Sequence, residues 1–403
     1  RITPDCRHAG ECGGCEWQAL TYERQLEAKQ SQVVEALAHL GGLDDYALEP
    51  ILGMSHPWRY RNKMEFSFGD DDGRLVLGLH RKGSWREIVE VGDCLLASER
   101  MNAARAAVAA AARELGLAAY DRGLRADPDP PPDAGTAAPD HAPADGGLLR
   151  HLVVREGRAS GDLLLHLYVR RRFPEEAALV QSVAARCPFT SFAVTVNDSP
   201  ADAAVGDGPH MLAGPPFVRE RLAGTDLRVP ATAFLQTNTA MAEVLYETAA
   251  GFAGLAAHAG AAAAPGASAA AASSASPTAA PGASPTAAPG TSTAEADIAD
   301  TSATRADAAA RTTHDSAVGG HAVDLYCGIG SFSLRLARDA EHVTGIELPP
   351  EAIAAARVNA ELNWAAHTAF FAGDVRRLLK NPSAVGLSPA AAPPENVAAH
   401  PPP

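Results

Sequence analysis

Three cysteines stand close together near the start of the chain: Cys6, Cys12 and Cys15, in the pattern C-x5-C-G-G-C. Thiolates are ligands for soft metals, and a closed site takes four of them. Gly13–Gly14 permits the tight loop that brings Cys12 and Cys15 onto one centre. Cys94, in VGDCLLAS after a predicted strand, is the best candidate for the fourth ligand. Spacing alone leaves an iron–sulfur cluster and zinc both open. Cys187 and Cys327 read as small buried hydrophobes. Six cysteines in 403 residues are too sparse for a disulfide scaffold. Their clustering reads instead as a metal or cluster site in a reducing cytoplasm.

A second constellation lies near the other end. In DLYCGIG, a strand ends on Asp324 and glycines Gly328 and Gly330 make a tight turn into a helix. Glu347, seventeen residues after Gly330, closes the next predicted strand, HVTGIE. An acid there can accept hydrogen bonds from both hydroxyls of a ribose. Asp374 closes a third strand, FFAGDV, where it can meet an adenine edge. The order fits an adenosyl cofactor or a dinucleotide. No third glycine follows to cradle a pyrophosphate, because Ser331-Phe332-Ser333 occupies that place. This favours S-adenosylmethionine. A third group, HPWRYRNK, sets Arg59, Arg61 and Lys63 beside Trp58 and Tyr60 with no acid among them. Cations for phosphates next to aromatics for base stacking suit an RNA surface. A solvated strand edge is the plainer reading of the same residues.

The elements that must position these groups fall into three blocks. Residues 1–50 hold the cysteines and then a helix, with Leu26, Val33, Val34, Leu37 and Leu40 at helical spacing and Gly41–Gly42 as the stop. Residues 51–230 carry strand-like runs (KMEFSFG, RLVLGLH, LRHLVVRE, DLLLHLYVR, FAVTVND) around a helical run at 98–118. This is a central, mainly β domain. Residues 231–383 begin with a helix and continue as β-α-β-α-β, which implies a parallel sheet with crossover helices. Segment 126–147 is Asp-, Pro-, Ala- and Gly-rich, segment 256–320 is Ala-, Ser-, Thr-, Pro- and Gly-rich, both read as disordered insertions, and 384–403 reads as a low-complexity tail.

The formal net charge of −14 argues at first against a nucleic-acid partner. Its distribution removes the objection. Residues 126–147 carry five Asp and no Lys or Arg, and 256–320 carry five acids against two Arg. By contrast, 148–172 has six Arg against two acids. No run of about 18 apolar residues offers a membrane span.

CRHAGECGGCEWQALTYERQLEAKQSQV, WRYRNKMEFSFG, FLQTNTAMAEVLY, VDLYCGIGSFSLRLA and GIE follow one another in this order. Together they resemble the iron–sulfur-containing RNA 5-methyluridine (uracil-C5) methyltransferases, the 23S rRNA type in particular. The resemblance implies an α/β fold: a class I S-adenosylmethionine methyltransferase domain with a Rossmann-like parallel sheet, preceded by an iron–sulfur segment and a mainly β domain. It implies that Cys6, Cys12, Cys15 and Cys94 hold a four-iron four-sulfur cluster. It implies that Gln236, Tyr326 and Glu347 contact S-adenosylmethionine, with Asp374 joining them and Asp324 and Gly328 in the same turn. The implied partner is RNA, with no membrane association and a monomeric chain. The family's reaction adds a Cys thiolate to uracil C6, transfers the methyl group to C5, and removes the C5 proton. Its DPPR-like and S-C-N-P-like motifs, with the nucleophilic Cys, do not follow Asp374 here, so the expectation is a chain truncated at both ends and inactive by itself. The rivals are a metal-stabilised RNA-binding module without catalysis, and a methyltransferase with a tRNA or non-RNA substrate.

Overall fold

The computed structural model describes residues 1–121, 146–199, 203–255 and 320–387. Most of the two insertions and most of the tail lie outside these residues.

The expected first helix is α1 (Tyr22–His39). The Thr21 hydroxyl caps it by accepting from the Arg24 N–H, and its end is closed where Gly41 N–H donates to the Ala36 carbonyl and Gly42 takes a left-handed φ of +61°. None of its residues is fully buried. It is tied to the following segment at its start, where the Tyr22 hydroxyl accepts from the Met54 N–H at 2.7 Å, and in its middle, where Gln30 Oε1 accepts from the Ile51 N–H at 3.3 Å.

The central block forms one seven-stranded sheet. Its strands are β1 (Lys63–Asp71), β2 (Arg74–His80), β3 (Ile88–Val89), β4 (Leu149–Glu156), β5 (Leu163–Val169), β6 (Ser191–Val196) and β7 (His210–Ala213), in the order β3-β2-β1-β4-β5-β6-β7. All neighbours are antiparallel except β5 and β6, which α3 (Glu176–Ala184) joins as a crossover. Alternation decides the faces. Met64, Phe66 and Phe68 of β1, Leu152 and Val154 of β4, and Leu163, Leu165 and Leu167 of β5 turn to one side. There they meet α2 (Glu99–Glu114), whose alanines and Val108 let helix and sheet approach closely. The opposite face carries Lys63, Glu65 and Ser67 of β1, Arg155 of β4, and His166 and Tyr168 of β5.

The second core is built on the hairpin β8 (Phe217–Leu222) and β9 (Thr225–Pro230), helix α4 (Thr239–Phe252), and a parallel sheet of β10 (His321–Leu325), β11 (His342–Glu347) and β12 (Thr368–Ala372). Helices α5 (Ser331–Leu336) and α6 (Pro350–Leu362) make the crossovers, and α7 (Val375–Leu378) follows β12. The strand order β10-β11-β12 with parallel register is the expected β-α-β-α-β unit. Val218, Leu222, Leu227 and Val229 of the hairpin pack with Ile329, Leu334 and Ile353 of this unit. The hairpin therefore shares the second core, although the sequence pattern groups it with the central strands. A salt bridge joins the two cores: the Arg219 guanidinium of β8 donates to both oxygens of the buried Asp162 carboxylate, at 2.8 and 2.9 Å.

Candidate cofactor pocket and four-cysteine cavity

The carboxyl ends of β10, β11 and β12 lie together, as the register pairs Leu325 with Ile346 and Glu347 with Ala372. Open parallel sheets bind ligands at this end. The loop after β10 turns over Tyr326, a non-glycine residue at φ +65°, then Gly328 at +56° and Gly330 at +78°. Gly330 has a steric reason as well. A Cβ there would lie 3.0 Å from the Phe370 ring and 3.2 Å from the Ala356 Cβ. Glu347 grips the loop: its Oε2 accepts from the Gly328 N–H at 3.0 Å and its Oε1 from the Leu348 N–H at 2.6 Å. Asp324 accepts from the Ser333 hydroxyl at 2.6 Å, and burial pushes its carboxyl above the usual range.

A cavity of about 300 Å³ opens beside this loop. Asp324, Tyr326, Cys327, Gly328 and Ser331 line one side, and Phe234, Leu235 and Gln236, with Tyr246 of α4, line the other. Four of the six predicted cofactor residues (Asp324, Tyr326, Gly328 and Gln236) thus share one cavity. Glu347 stands one hydrogen bond behind Gly328. Asp374 is placed differently. It ends the same sheet edge, but its carboxylate caps α7 by accepting from the Arg377 N–H at 2.9 Å. Sequence reasoning missed Phe234. Phe234 is 71% exposed and lines the cavity, and Tyr326, which also lines it, is 68% exposed. Nothing in the sequence setting of Phe234, ATAFLQTN, marks it, because its exposure is set by the fold.

The second site lies against the end of β2. The loop 6–15 docks there through Gly13 N–H donating to the His80 carbonyl at 2.8 Å and Lys82 N–H donating to the Glu11 carbonyl at 2.8 Å. A Cβ on Gly13 would stand 3.0 Å from that His80 oxygen, and one on Gly14 would stand 3.1 Å from the Leu79 side chain. Cys6, Cys12, Cys15 and Cys94 then line a single cavity of about 170 Å³ together with His8, Arg61 and Glu65. Cys94 is brought in from 79 residues beyond Cys15 by a clamp on α2. Asn102 Oδ1 accepts from the Cys94 N–H at 2.9 Å, and its Nδ2 donates to the Cys94 carbonyl at 3.0 Å. Burial raises the thiols of Cys12 and Cys15, and the neighbouring cysteines raise them further. A bound cation would reverse that repulsion. Among the described residues, no group of three or more His, Cys, Asp or Glu is arranged to hold a metal ion. The four cysteines share the lining of one cavity.

The predicted RNA-contacting cations do not stand together on an open face. Arg59 is held by both oxygens of Asp93, at 2.6 and 2.7 Å, and donates to the carbonyls of Cys94 and Ala97. Arg61 lines the cysteine cavity. Lys63 lies within β1 opposite Arg155, and burial lowers its ammonium pKa. The basic stretch 148–172 is divided, with Arg158, Arg171 and Arg172 exposed. Arg150 and Arg155 are buried, Arg158 pairs with Glu156, Arg170 with Asp198, and Arg172 with Glu176.

The chain is 27% identical over 381 residues to an uncharacterized RNA methyltransferase of Halalkalibacterium halodurans, covering 94% of this chain and 65% of that protein. It is 29% identical over 384 residues to an uncharacterized RNA methyltransferase of Caldanaerobacter subterraneus, covering 94% and 67%. The chain spans 64–65% of the length of the first relatives it matches. A solved structure, the Pyrococcus abyssi tRNA (uracil-54, C5)-methyltransferase in complex with S-adenosyl-L-homocysteine, superposes with a TM-score of 0.59 at 19% identity, covering 90% of this chain and 65% of that one. The two share a fold. Residues 306–372, which supply Asp324, Tyr326, Gly328 and Glu347, match the family model of tRNA (uracil-5-)-methyltransferase.

Proposed function

We propose that this chain is the cofactor-binding and cluster-bearing part of an S-adenosylmethionine-dependent RNA uracil-C5 methyltransferase. The single observation that carries this is the shared cavity of Gln236, Tyr326, Gly328 and Asp324, with Glu347 behind its glycine turn. The matched family model covers the same turn. In this reading Glu347 exchanges its Leu348 and Gly328 N–H partners, in part, for the ribose hydroxyls. Phe234 and Tyr326 enclose the adenosyl group or a flipped base at the mouth, since a base must leave its stack to be modified. S-adenosylmethionine, when bound, supplies the methyl group.

The nucleophile is not among this chain's cysteines. Four line the other cavity, and Cys187 is buried. The Cys327 thiol is pushed up to about 12 by burial first and then by Asp324 and Glu347, so it stays protonated at neutral pH. The chain alone therefore binds cofactor and forms no adduct with uracil.

The four-cysteine cavity is proposed to hold a four-iron four-sulfur cluster on Cys6, Cys12, Cys15 and Cys94. The thiol set and its enclosure fit such a group. Zinc on the same four thiolates is the alternative, and metal analysis separates the two. A reducing cytoplasm is proposed on the sparse, clustered cysteines. No helix among the described residues is long and apolar enough to cross a membrane. The RNA is proposed to be 23S rRNA, on the four-cysteine signature. A tRNA is the second reading, favoured by the description of the matched family model.

Isothermal titration with S-adenosylhomocysteine and, separately, NADH tests the cofactor assignment. One-site binding of the former and no heat from the latter is the expected outcome. Preference for NADH would overturn it.

A further inference from the structure

The two residues ahead of β1 stand between the two sites. Arg61 lines the cysteine cavity. Asn62, next to it, is 1% exposed and reaches the opposite way, into the segment that brings Gln236 to the cofactor pocket. The Asn62 N–H donates to the Thr237 carbonyl at 2.8 Å. Its side-chain Nδ2 donates to the Gln236 carbonyl at 2.8 Å and to the Thr239 hydroxyl at 2.9 Å. Arg61 and Asn238 form a bridge beside it, and Arg155 donates to the Ala233 carbonyl from the neighbouring strand. Asn62 is itself immobilised. Its carbonyl accepts from the Glu156 N–H at 2.8 Å, and the Arg61 N–H donates to the Leu96 carbonyl at 3.0 Å. One buried amide, held by the first core, thus fixes the main chain of the one pocket wall that the parallel sheet does not supply.

We propose that Asn62 is a positioning residue for the cofactor. It touches no ligand and acts by holding the Gln236 peptide so that this side chain faces the pocket. Both Nδ2 hydrogens are used, and a fixed loop avoids the ordering cost that a loose one would meet on binding. The proposal rests on the cofactor reading above.

The test is a double-mutant cycle on the full chain with S-adenosylhomocysteine as probe. Asn62→Ala weakens binding about tenfold, the size expected for losing one or two buried hydrogen bonds. In the Gln236→Ala background the same substitution changes affinity by less than about twofold, because its effect runs through Gln236. A purely structural role would add in both backgrounds. Asn62→Ser removes both Nδ2 hydrogen bonds without burying a charge, and it gives the same pattern should Asn62→Ala fold poorly. Wild-type affinity in both Asn62 variants, or full additivity in the cycle, overturns the positioning role. Failure of the wild-type chain to bind the probe overturns the cofactor reading beneath it.

Discussion

Glu347→Ala isolates the carboxylate that organises the cofactor turn. In the free protein its two oxygens accept from Gly328 and Leu348. Both donors are main-chain groups near the surface, and water replaces the lost acceptor for each. The cost to folding is therefore about 1 kcal/mol. The cost to binding is larger, because a ribose diol loses one or two charge-assisted hydrogen bonds of about 1.5 kcal/mol each, or about 3 kcal/mol together. That corresponds to roughly a 100-fold weaker S-adenosylhomocysteine affinity. Glu347→Gln keeps one oxygen as an acceptor and falls between, at about tenfold. Titration calorimetry reads the affinity and urea unfolding reads the stability. A Glu347→Ala protein that binds within twofold of wild type would refute the role of this acid. So would one whose affinity falls only in step with unfolding.

Other perturbations reach the rest of the account. His166 is buried between Thr195 and Tyr168, and burial together with Lys63 and Arg155 pushes its pKa down to about 4. The unfolded chain takes up this proton at about 6.5, so the contribution is complete above that pH and is lost as pH falls toward 4. Urea midpoints should show about 3 kcal/mol lost over this window, and a His166→Gln protein should show a flatter profile. Gly330→Ala puts a methyl group against Phe370 and Ala356 at a left-handed φ, and should lower stability by about 2 kcal/mol in thermal unfolding. Anaerobically purified protein should be brown with about four irons per chain. Cys12→Ser and Cys94→Ser should each lose most of the visible absorption, while Cys187→Ser should keep it. Stoichiometric zinc in place of iron would refute the cluster.

The sequence disclosed the β-α-β-α-β unit, because strand-like runs and helical runs alternate there and the parallel register follows from that alternation. It disclosed the four cysteines, because Gly13–Gly14 and the position of Cys94 after a strand both have steric meaning, and all four line one cavity. It did not disclose the fate of the arginines. Arg59, Arg61 and Arg155 look like a solvated basic face in one dimension, and each is claimed by a partner or cavity far along the chain. Arg59 meets Asp93 across 34 residues, and Arg155 meets Ala233 across 78. Charge composition cannot show a partner that the fold alone supplies. The same holds for Asn62, whose hydrogen bonds span 174 and 177 residues. The cap role of Asp374 was legible only locally, since an Asp ahead of a helical turn has two uses.

The most direct measurement is ultraviolet cross-linking of methyl-tritiated S-adenosylmethionine to the full chain, followed by mapping of the labelled peptide. The account predicts label in the peptides that contain Phe234–Gln236 or Tyr326, and its loss when S-adenosylhomocysteine is in excess. Label confined to other peptides, or label that the excess does not displace, would contradict it.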